Sequence, residues 1–290
     1  MSRLFTVAGV QLFVHYQNKQ ANLQGMEEAF SYIARNYPYV DMVIFPELAL
    51  YGAPYPAWKG DALTIPGAET EHFTKLAKKY RKWLLPGSFY EKTPEGFYNT
   101  ALVFSPQGEI IAQYRKLYPW QPQEQTLPGK EFCVFDIPGV GKIGVCICYD
   151  MWVPEVCRTL AWMGAEVILH PTMTTSQDRE QELIIARANA IFNQLYFIDV
   201  NGVGWGGNGR SLFVDPHGRV LQQAGESPGI LIETIDLEQV SLARKQGVAG
   251  VSQILRQFAN TSIAFPVYQN VKAGEGFRHL DPPGVVRKKS

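Results

Sequence analysis

The run Lys142-Ile-Gly-Val-Cys-Ile-Cys-Tyr-Asp150 decides the fold, because a strand pattern in it stops at a reactive side chain. Residues 142–147 are mostly apolar and predict a β-strand, and Cys148 stands where that pattern ends. Pro154, a residue favoured at the first helical position, opens a helix predicted over residues 154–163. A thiol between a strand and a helix lies beside backbone N–H groups, which can stabilise a thiolate or an oxyanion.

Strand and helix patterns alternate on both sides of this run. Helical spacing of apolar residues predicts helices over 22–36, 69–82, 179–192 and 237–245. Short apolar or β-rich runs predict strands over 4–14, 40–46, 83–90, 100–104, 110–114, 167–170, 195–200, 211–214, 219–222 and 230–235. Because helices recur between strands along the whole chain, we expect a mixed α/β layered fold.

Composition and charge exclude several classes of function. The chain has 290 residues, of which 46% are hydrophobic, which is enough for a sizeable core. Lys+Arg and Asp+Glu are both 27, so nothing favours binding to nucleic acid or to an anionic membrane surface. We read neither a signal peptide nor an apolar run of membrane-spanning length. Four cysteines in a chain this long do not form a disulfide framework, so we expect a cytoplasmic protein.

Two charged residues stand at strand ends, as Cys148 does. Glu47 follows the apolar run 43–46, where a carboxylate can be partly buried and act as a general base. Lys116 follows the strand predicted over 110–114, where an ammonium group can stabilise an oxyanion. A solvated side chain is the alternative for each of them. For Cys146, two residues before Cys148, core packing is the better interpretation.

Three short blocks together resemble the signature of the nitrilase superfamily of carbon–nitrogen hydrolases. They are Phe45-Pro-Glu47, Tyr114-Arg-Lys116, and Cys148-Tyr-Asp150 with Pro154-Glu155, and the resemblance extends over roughly residues 5–245. It implies a four-layer αββα sandwich with mixed sheets. It also implies a Glu-Lys-Cys triad, in which Glu47 takes the proton of Cys148 and the thiolate attacks an amide carbon. Lys116 and the backbone N–H of Tyr149 would then stabilise the oxyanion, with no cofactor and no metal.

The segment Lys116-Leu-Tyr-Pro-Trp-Gln-Pro-Gln-Glu124 is similar to the corresponding block of aliphatic amidases and formamidases. The similarity implies that Glu124 is a second, substrate-orienting carboxylate, and that Trp120 and Tyr149 contact the substrate. We therefore expect an amidase that converts small to medium aliphatic carboxamides to carboxylic acid and ammonia. Residues 171–176 lack the aromatic side chain that often lines the small pocket of such enzymes, which predicts a roomier acyl site.

Two other reactions remain open at this point. True nitrilases usually have Trp-Glu after the cysteine, whereas this chain has Tyr149-Asp150, which favours amides over nitriles. Hydrolases of N-carbamoyl amino acids would need a basic residue for the substrate carboxylate. Arg179 and Arg187 could serve, although surface charge on a helix is their better interpretation.

Two rival classes are weaker. A metal site built from Cys146, Cys148, Cys157 and His170 lacks the second spaced pair that zinc sites show. A non-catalytic binding protein on the same scaffold is disfavoured because the three triad residues are all present. The glycine-rich segment 202–209 has no Lys-Ser/Thr continuation for a phosphate loop, so we expect a mobile loop near the site.

We divide the chain into a hydrolase domain, residues 1–265, and a C-terminal tail, residues 266–290. The tail is rich in Pro and Gly and ends in Val286-Arg-Lys-Lys-Ser290, so it either wraps a neighbouring subunit or is loose. From the resemblance we expect a homo-oligomer, at least a dimer. The expected partner is a small-molecule amide.

Overall fold

The computed structural model describes residues 2–52 and 58–270. Its strands are β1 Leu4–Gln11, β2 Phe13–Val14, β3 Met42–Ile44, β4 Trp83–Leu85, β5 Ser88–Thr93, β6 Gly96–Phe104, β7 Ile110–Arg115, β8 Cys133–Ile137, β9 Gly141–Val145, β10 Val167–Thr172, β11 Tyr196–Asn201, β12 Val203–Gly204, β13 Leu212–Val214, β14 Val220–Gln223 and β15 Gly229–Asp236. Its helices are α1 Lys19–Asn36, α2 Trp58–Asp61, α3 Ala68–Tyr80, α4 Pro154–Trp162, α5 Arg179–Asn193, α6 Glu238–Gln246, α7 Ile254–Ala259 and α8 Pro266–Asn270, with a 3₁₀ turn over Cys148–Trp152.

Two mixed sheets form the centre of the molecule. The first has the order β15-β1-β3-β4-β6-β5, with β7 paired to β6, and the second has the order β14-β13-β11-β10-β9-β8. In the first sheet β1, β3 and β4 run parallel, and in the second β9, β10 and β11 do. The other pairings within these two sheets are antiparallel, so each sheet has a parallel centre with antiparallel edges.

The buried strands alternate between two apolar cores because successive side chains point to opposite faces of a sheet. Met42 and Ile44 of β3 pack in the core between the two sheets, whereas Val43 packs in the core that contains residues of α1 and α3. Likewise Leu169 of β10 faces the first sheet, and Ile168 packs in the core that contains residues of α4 and α5. Helices therefore cover the outer face of each sheet, and the predicted four-layer αββα sandwich is confirmed.

Local departures from the predicted elements have local causes. The strand predicted over 83–90 is two strands, β4 and β5, separated at Gly87, whose φ is +78°. A side chain at Gly87 would place its Cβ 1.7 Å from the carbonyl oxygen of Pro46, so only glycine allows this close approach. Strand β8 was not predicted, because its run of five residues is short and includes the charged Asp136.

The last described segment packs on the helical layer. Phe258 of α7 has its ring centroid 5.5 Å from that of Phe265 and 6.1 Å from that of Tyr268 in α8. Residues 271–290 of the predicted tail lie outside the described residues, so its wrapping of a neighbour stays a prediction. Within the described ranges, none of the helices has both the length and the apolar character needed to cross a bilayer.

Candidate active site

The two sheets meet at the carboxyl ends of their parallel strands. Glu47 follows β3 in the first sheet, and its backbone N–H donates to the carbonyl oxygen of Thr172, the last residue of β10 in the second sheet (3.3 Å). Cys148 follows β9, the parallel neighbour of β10. Carboxyl ends of parallel strands meet at one edge of a sheet, and open α/β sheets bind ligands there. The topology therefore brings the predicted acid and the predicted thiol to the same edge.

Lys116 lies between two carboxylates. Its Nζ donates to Oε1 of Glu47 at 2.8 Å and to Oε2 of Glu124 at 2.7 Å. The side chains of these three residues are at most 7% exposed. The solvated-side-chain alternative for Glu47 and Lys116 is therefore wrong, and the loop acid Glu124 is a buried partner of the same ammonium group.

Asn99 of β6 holds the two carboxylates in place. Its Nδ2 donates to Oε1 of Glu47 at 2.8 Å and to Oε1 of Glu124 at 2.9 Å. The Trp120 N–H and the Thr126 hydroxyl also donate to Glu124, at 2.9 and 3.1 Å. Both hydrogen bonds to Glu47 thus use Oε1, so Oε2 is the oxygen left to exchange a proton within the described part of the chain.

The pKa values of the two acids in this cluster shift in opposite directions. Burial raises the pKa of Glu47 above its ordinary value, and the nearby ammonium of Lys116 only partly opposes this. At Glu124 burial also acts to raise the pKa, but Lys116 and the hydrogen bonds outweigh it and the pKa is lowered. Burial disfavours the charged form of Lys116, yet Glu124 and Glu47 raise its pKa well above the ordinary value. The arrangement suits a permanent cation beside one fixed anion and one acid that can exchange a proton.

Cys148 occupies an unfavourable backbone conformation at the start of the 3₁₀ turn. Its φ is +46°, in the left-handed region that non-glycine residues rarely adopt. Asp150 holds the turn, because its carboxylate accepts from the Ile147 N–H at 2.9 Å, the Tyr114 hydroxyl at 2.7 Å and the Tyr118 N–H at 2.8 Å. The same carboxylate therefore ties the turn that begins at Cys148 to the segment that carries Lys116.

The resting thiol of Cys148 is protonated. Burial raises its pKa well above the ordinary value, Glu47 adds to this, and Lys116 acts in the opposite direction. Cys148 therefore interacts electrostatically with both other members of the predicted triad. A thiol in this state needs a base to become a nucleophile.

A small cavity opens beside Cys148. Its volume is about 40 Å³, and aromatic side chains outside residues 171–176 line it. Trp120 and Tyr149, both predicted to contact the substrate, lie in its wall, and the rings of Tyr149 and Trp152 stack with centroids 6.0 Å apart. The described lining residues are Trp120, Cys148, Tyr149, Trp152, Met173, Thr174, Thr175, Ser176, Asp178 and Glu182.

Larger surface depressions among the described residues do not include Cys148, although one of about 460 Å³ shares Ser176 and Asp178 with the cavity. One of about 420 Å³ is lined by residues of α1 only, among them Gln24, Tyr32 and Arg35, and contains no cysteine. We therefore take the small cavity, which contains the thiol, as the candidate site.

The interpretation of Arg179 as helical surface charge is wrong. Its side chain is 1% exposed and pairs with Asp199 and with Glu182, the latter at 3.1 Å. It does not line the cavity. Arg187 is exposed, as the surface-charge interpretation expects, and its Nε donates to the Gly218 carbonyl at 3.0 Å.

The glycine-rich segment is held to the site by hydrogen bonds. β12 in this segment pairs with β2, and the Asn208 N–H and side chain donate to the carbonyls of Thr174 and Ser176 at 2.9 and 3.0 Å. The expected position near the site is confirmed, and the segment supports the cavity wall.

The residues proposed for a metal site have other partners: Cys146 interacts with Cys157, and His170 interacts with Asp199 and the Cys148 carbonyl. Cys146 and Cys157 are buried in the core beneath α4 and α5. Among the described residues, no group of three His, Cys, Asp or Glu side chains could hold a metal ion. Burial raises the pKa of Cys133 to about 11, and burial raises that of Cys146 well above its ordinary value, so these thiols are inert.

Sequence reasoning missed three residues of the site. Asn99 is given no role by the sequence, although a polar residue next to an apolar strand is a signal. Asp150 is part of a signature block, but the sequence does not show that it holds the turn. Glu182 lies one helical turn after Asp178, so the spacing alone places both acids on one face of α5.

Comparison with known proteins identifies the scaffold. The family model described as carbon-nitrogen hydrolase matches residues 6–245. The chain belongs to the carbon–nitrogen hydrolase family. This carbon–nitrogen hydrolase is 34% identical over 211 residues to a formamidase of Helicobacter acinonychis, a match that covers 69% of this chain and 63% of the relative.

Solved structures agree on the architecture of this family member. Saccharomyces cerevisiae Nit3, a member of branch 10 of the nitrilase superfamily, is similar with a TM-score of 0.78 and 27% identity, covering 86% of this chain and 96% of that one. A carbon-nitrogen hydrolase from Helicobacter pylori G27 is similar with a TM-score of 0.79 and 25% identity, covering 93% and 98%. The nitrilase-superfamily resemblance is therefore confirmed.

Proposed function

We propose that the protein is an amidase that hydrolyses small aliphatic carboxamides to carboxylic acid and ammonia through a thioester on Cys148. One observation carries the proposal: a buried ammonium group, Lys116, lies between the carboxylates of Glu47 and Glu124 at the strand edge where Cys148 begins its turn. The similarity to a formamidase supports the same reaction class, although the matched segment covers only 63% of that relative.

Acylation transfers one proton and forms one bond. Glu47, the acid whose pKa is raised, takes the Sγ proton of Cys148, and the sulfur attacks the amide carbon. The negative charge that develops on the carbonyl oxygen is stabilised by Lys116 and by the backbone N–H of Tyr149. The C–N bond then breaks, and Glu47 returns its proton to the departing ammonia.

Deacylation uses the same acid. Glu47 takes a proton from water, and the resulting hydroxide attacks the thioester carbon. The C–S bond then breaks, the carboxylic acid leaves, and Glu47 gives its proton to the departing sulfur to restore the Cys148 thiol. Glu124 stays ionised, because its pKa is lowered, and it positions Lys116 and the amide nitrogen. Asn99 donates to both carboxylates and keeps their separation constant through the cycle.

The size of the cavity favours the smallest amides. A group the size of a water molecule needs about 10–15 Å³ of cavity volume. The cavity of about 40 Å³ thus has room for three to four heavy atoms, on the order of formamide or acetamide. Trp120, Tyr149 and Trp152 limit its extension.

The charge of the cavity wall argues against the carbamoyl alternative. A substrate carboxylate needs a cation, and the described lining residues include Asp178 and Glu182 but neither Lys nor Arg. Arg179, the cation once considered for this role, is neutralised by Asp199 and Glu182. The nitrile alternative stays a prediction, and Tyr149-Asp150 in place of Trp-Glu favours amides over it.

A panel of substrates tests the proposal. Ammonia release is measured from formamide, acetamide, butyramide, acetonitrile and N-carbamoyl amino acids, with Cys148→Ala as the blank. We expect turnover of the two smallest amides and none in the blank. Faster turnover of a carbamoyl amino acid, or ammonia release that persists in Cys148→Ala, would show that the assignment is wrong.

We also propose a cytoplasmic homo-oligomer. The four cysteines are all free, which suits a reducing compartment. Large apolar side chains are exposed on neighbouring helices α4 and α5, with Trp162 58%, Ile184 69% and Phe192 55% exposed. Light scattering of wild type and of Ile184→Glu tests this. If this face joins the subunits, a charge at position 184 should lower the molar mass of the particle.

A further inference from the structure

A chain of buried charged groups runs beneath the nucleophile turn. His170 of β10 and Asp199 of β11 are register partners, and His170 Nδ1 lies 2.7 Å from Asp199 Oδ1. Asp199 also pairs with Arg179, the first residue of α5. At its other end, His170 Nε2 lies 2.9 Å from the carbonyl oxygen of Cys148. His170, Asp199 and Arg179 are each at most 1% exposed, so this chain is isolated from solvent.

The partners of His170 determine where its protons are. The Cys148 carbonyl oxygen can only accept, so Nε2 must carry a hydrogen. Burial opposes ionisation of Asp199, but Arg179 and His170 outweigh it and hold its pKa below the ordinary value. An ionised Asp199 can only accept as well, so Nδ1 must also carry a hydrogen. Both ring nitrogens therefore donate, and His170 is an imidazolium.

Other charges around His170 support this state. Burial disfavours the cation, but the hydrogen bond to Asp199 and the carboxylate charges of Asp199 and Glu182 raise its pKa. Glu182 pairs with Arg179 at 3.1 Å and accepts from the Thr174 hydroxyl at 2.6 Å. The two carboxylates thus balance the two cations, and the network ends at the cavity wall through Glu182.

The carbonyl oxygen that accepts from His170 belongs to the Cys148–Tyr149 peptide, whose N–H stabilises the oxyanion in the proposed mechanism. The Cys148 carbonyl and the Tyr149 N–H are parts of one planar peptide unit, in which they point in opposite directions. The Tyr149 N–H stands in the first turn of a 3₁₀ helix, where N–H groups have no partner inside the helix. The φ of +46° at Cys148 costs energy, so this peptide keeps its orientation only if surrounding contacts fix it.

We propose that His170 is a positioning residue, whose Nε2–H fixes the Cys148–Tyr149 peptide so that the Tyr149 N–H faces the oxyanion. The inference rests on the proposed amidase function. A charge-assisted hydrogen bond to the carbonyl also polarises the peptide and strengthens its N–H as a donor. His170 itself touches neither the substrate nor the reacting sulfur.

Two neutral variants separate positioning from support of the core. In His170→Gln the amide nitrogen takes the place of Nε2 and can still donate to the Cys148 carbonyl. In His170→Asn the amide takes the place of Nδ1, keeps the bond to Asp199 and loses the one to Cys148. Both remove the imidazolium and leave Asp199 paired with Arg179, so they form a matched pair.

We expect His170→Asn to lower kcat on the best amide by about 10²-fold, since loss of one oxyanion donor costs about 10²–10³-fold. KM should change by less than about threefold. The kcat of His170→Gln should be at least tenfold higher than that of His170→Asn. Equal kcat in wild type and His170→Asn, or equal loss in both variants at equal thermal stability, would overturn the proposal.

A measurement on the wild-type chain tests the hydrogen bond without activity. The sequence has five histidines, and ¹⁵N labelling of their rings reports the protonation of each nitrogen. We expect both nitrogens of His170 to be protonated in the folded protein, and an unprotonated Nε2 would refute the inference. If neither His170 variant folds, replacing the other four histidines one at a time assigns the signal. If wild type hydrolyses no amide, the proposed function fails, while the ring measurement still decides whether His170 donates to Cys148.

Discussion

Replacing Glu47 by Gln separates its role as a base from its role in the structure. Lys116 Nζ and Asn99 Nδ2 both donate to Oε1, at 2.8 Å each, and a Gln amide oxygen can accept the same two bonds. The change therefore removes a charge and a proton acceptor, and it leaves the buried hydrogen bonds in place. We expect Glu47→Gln to fold with a melting temperature close to that of wild type.

The expected loss of activity follows from the state of the thiol. An ordinary thiol with a pKa of about 8.5 is about 3% ionised at pH 7, and the raised pKa of Cys148 makes its ionised fraction smaller still. Without a base, only this minor fraction can attack. General-base catalysis contributes about 10²–10⁴-fold, so kcat/KM should fall by that factor, which is about 3–5 kcal/mol of transition-state stabilisation.

Thiol alkylation should change in the opposite direction. The charge of Glu47 raises the pKa of Cys148, and Lys116 lowers it. Removing the anion and keeping the cation favours the thiolate, so iodoacetamide should modify Cys148 at pH 7 at least as fast as in wild type. A variant with slow amide turnover and fast alkylation has lost its base and kept its site.

Glu166→Gln is a matched control. Glu166 is a partly buried acid that pairs with Arg3 at 2.6 Å, and it directly precedes β10, at the opposite edge of the sheet from Cys148. Its replacement should leave ammonia release and alkylation within about twofold of wild type, because neither the Glu166 nor the Arg3 side chain lines the cavity. Amide turnover by Glu47→Gln within about threefold of wild type would refute the assignment of the base.

Three further changes test the site. Lys116→Ala should abolish turnover and lower the free energy of unfolding in urea by about 3–5 kcal/mol, because two buried carboxylates lose their cation; an unchanged midpoint contradicts this. Burial raises the pKa of Asp150 to about 6. A carboxyl group whose pKa is raised on folding stabilises the fold fully at pH values below its unfolded pKa, near 3.9. That stabilisation is lost as the pH rises through the folded pKa of about 6. The unfolding free energy of wild type relative to Asp150→Asn should therefore fall by about 2 kcal/mol between pH 4 and pH 7, and a difference that is independent of pH counts against it. Trp120→Ala should open the cavity and raise the butyramide-to-formamide ratio of kcat/KM by about tenfold or more; an unchanged ratio means that Trp120 does not limit substrate size.

Much of the fold could be predicted because the spacing of apolar residues within a short segment indicates whether it is a strand or a helix. Strand and helix periods are properties of neighbouring residues, and they predict the layers on either side of Cys148. Strand ends were less well predicted, since the break at Gly87 arises from the close approach of a distant residue, Pro46. β8 was missed because its pairing with β9, and not its own composition, makes it a strand.

The candidate site divides in the same way. The sequence by itself determined which acid, cation and thiol stand at strand ends, since a strand end is visible in a short window. It could not determine that Lys116 bridges two acids, because Glu47 is 69 positions away along the chain.

Only the tertiary structure decided the charges and the room around the thiol. Arg179 was expected at the surface, and it is buried because Asp199, 20 positions away, neutralises it. The cavity is small because Trp120 and Trp152 converge on it from separate segments. Residue type and order are local, whereas desolvation and pairing depend on contacts between distant segments, and these set which of the acids can move a proton.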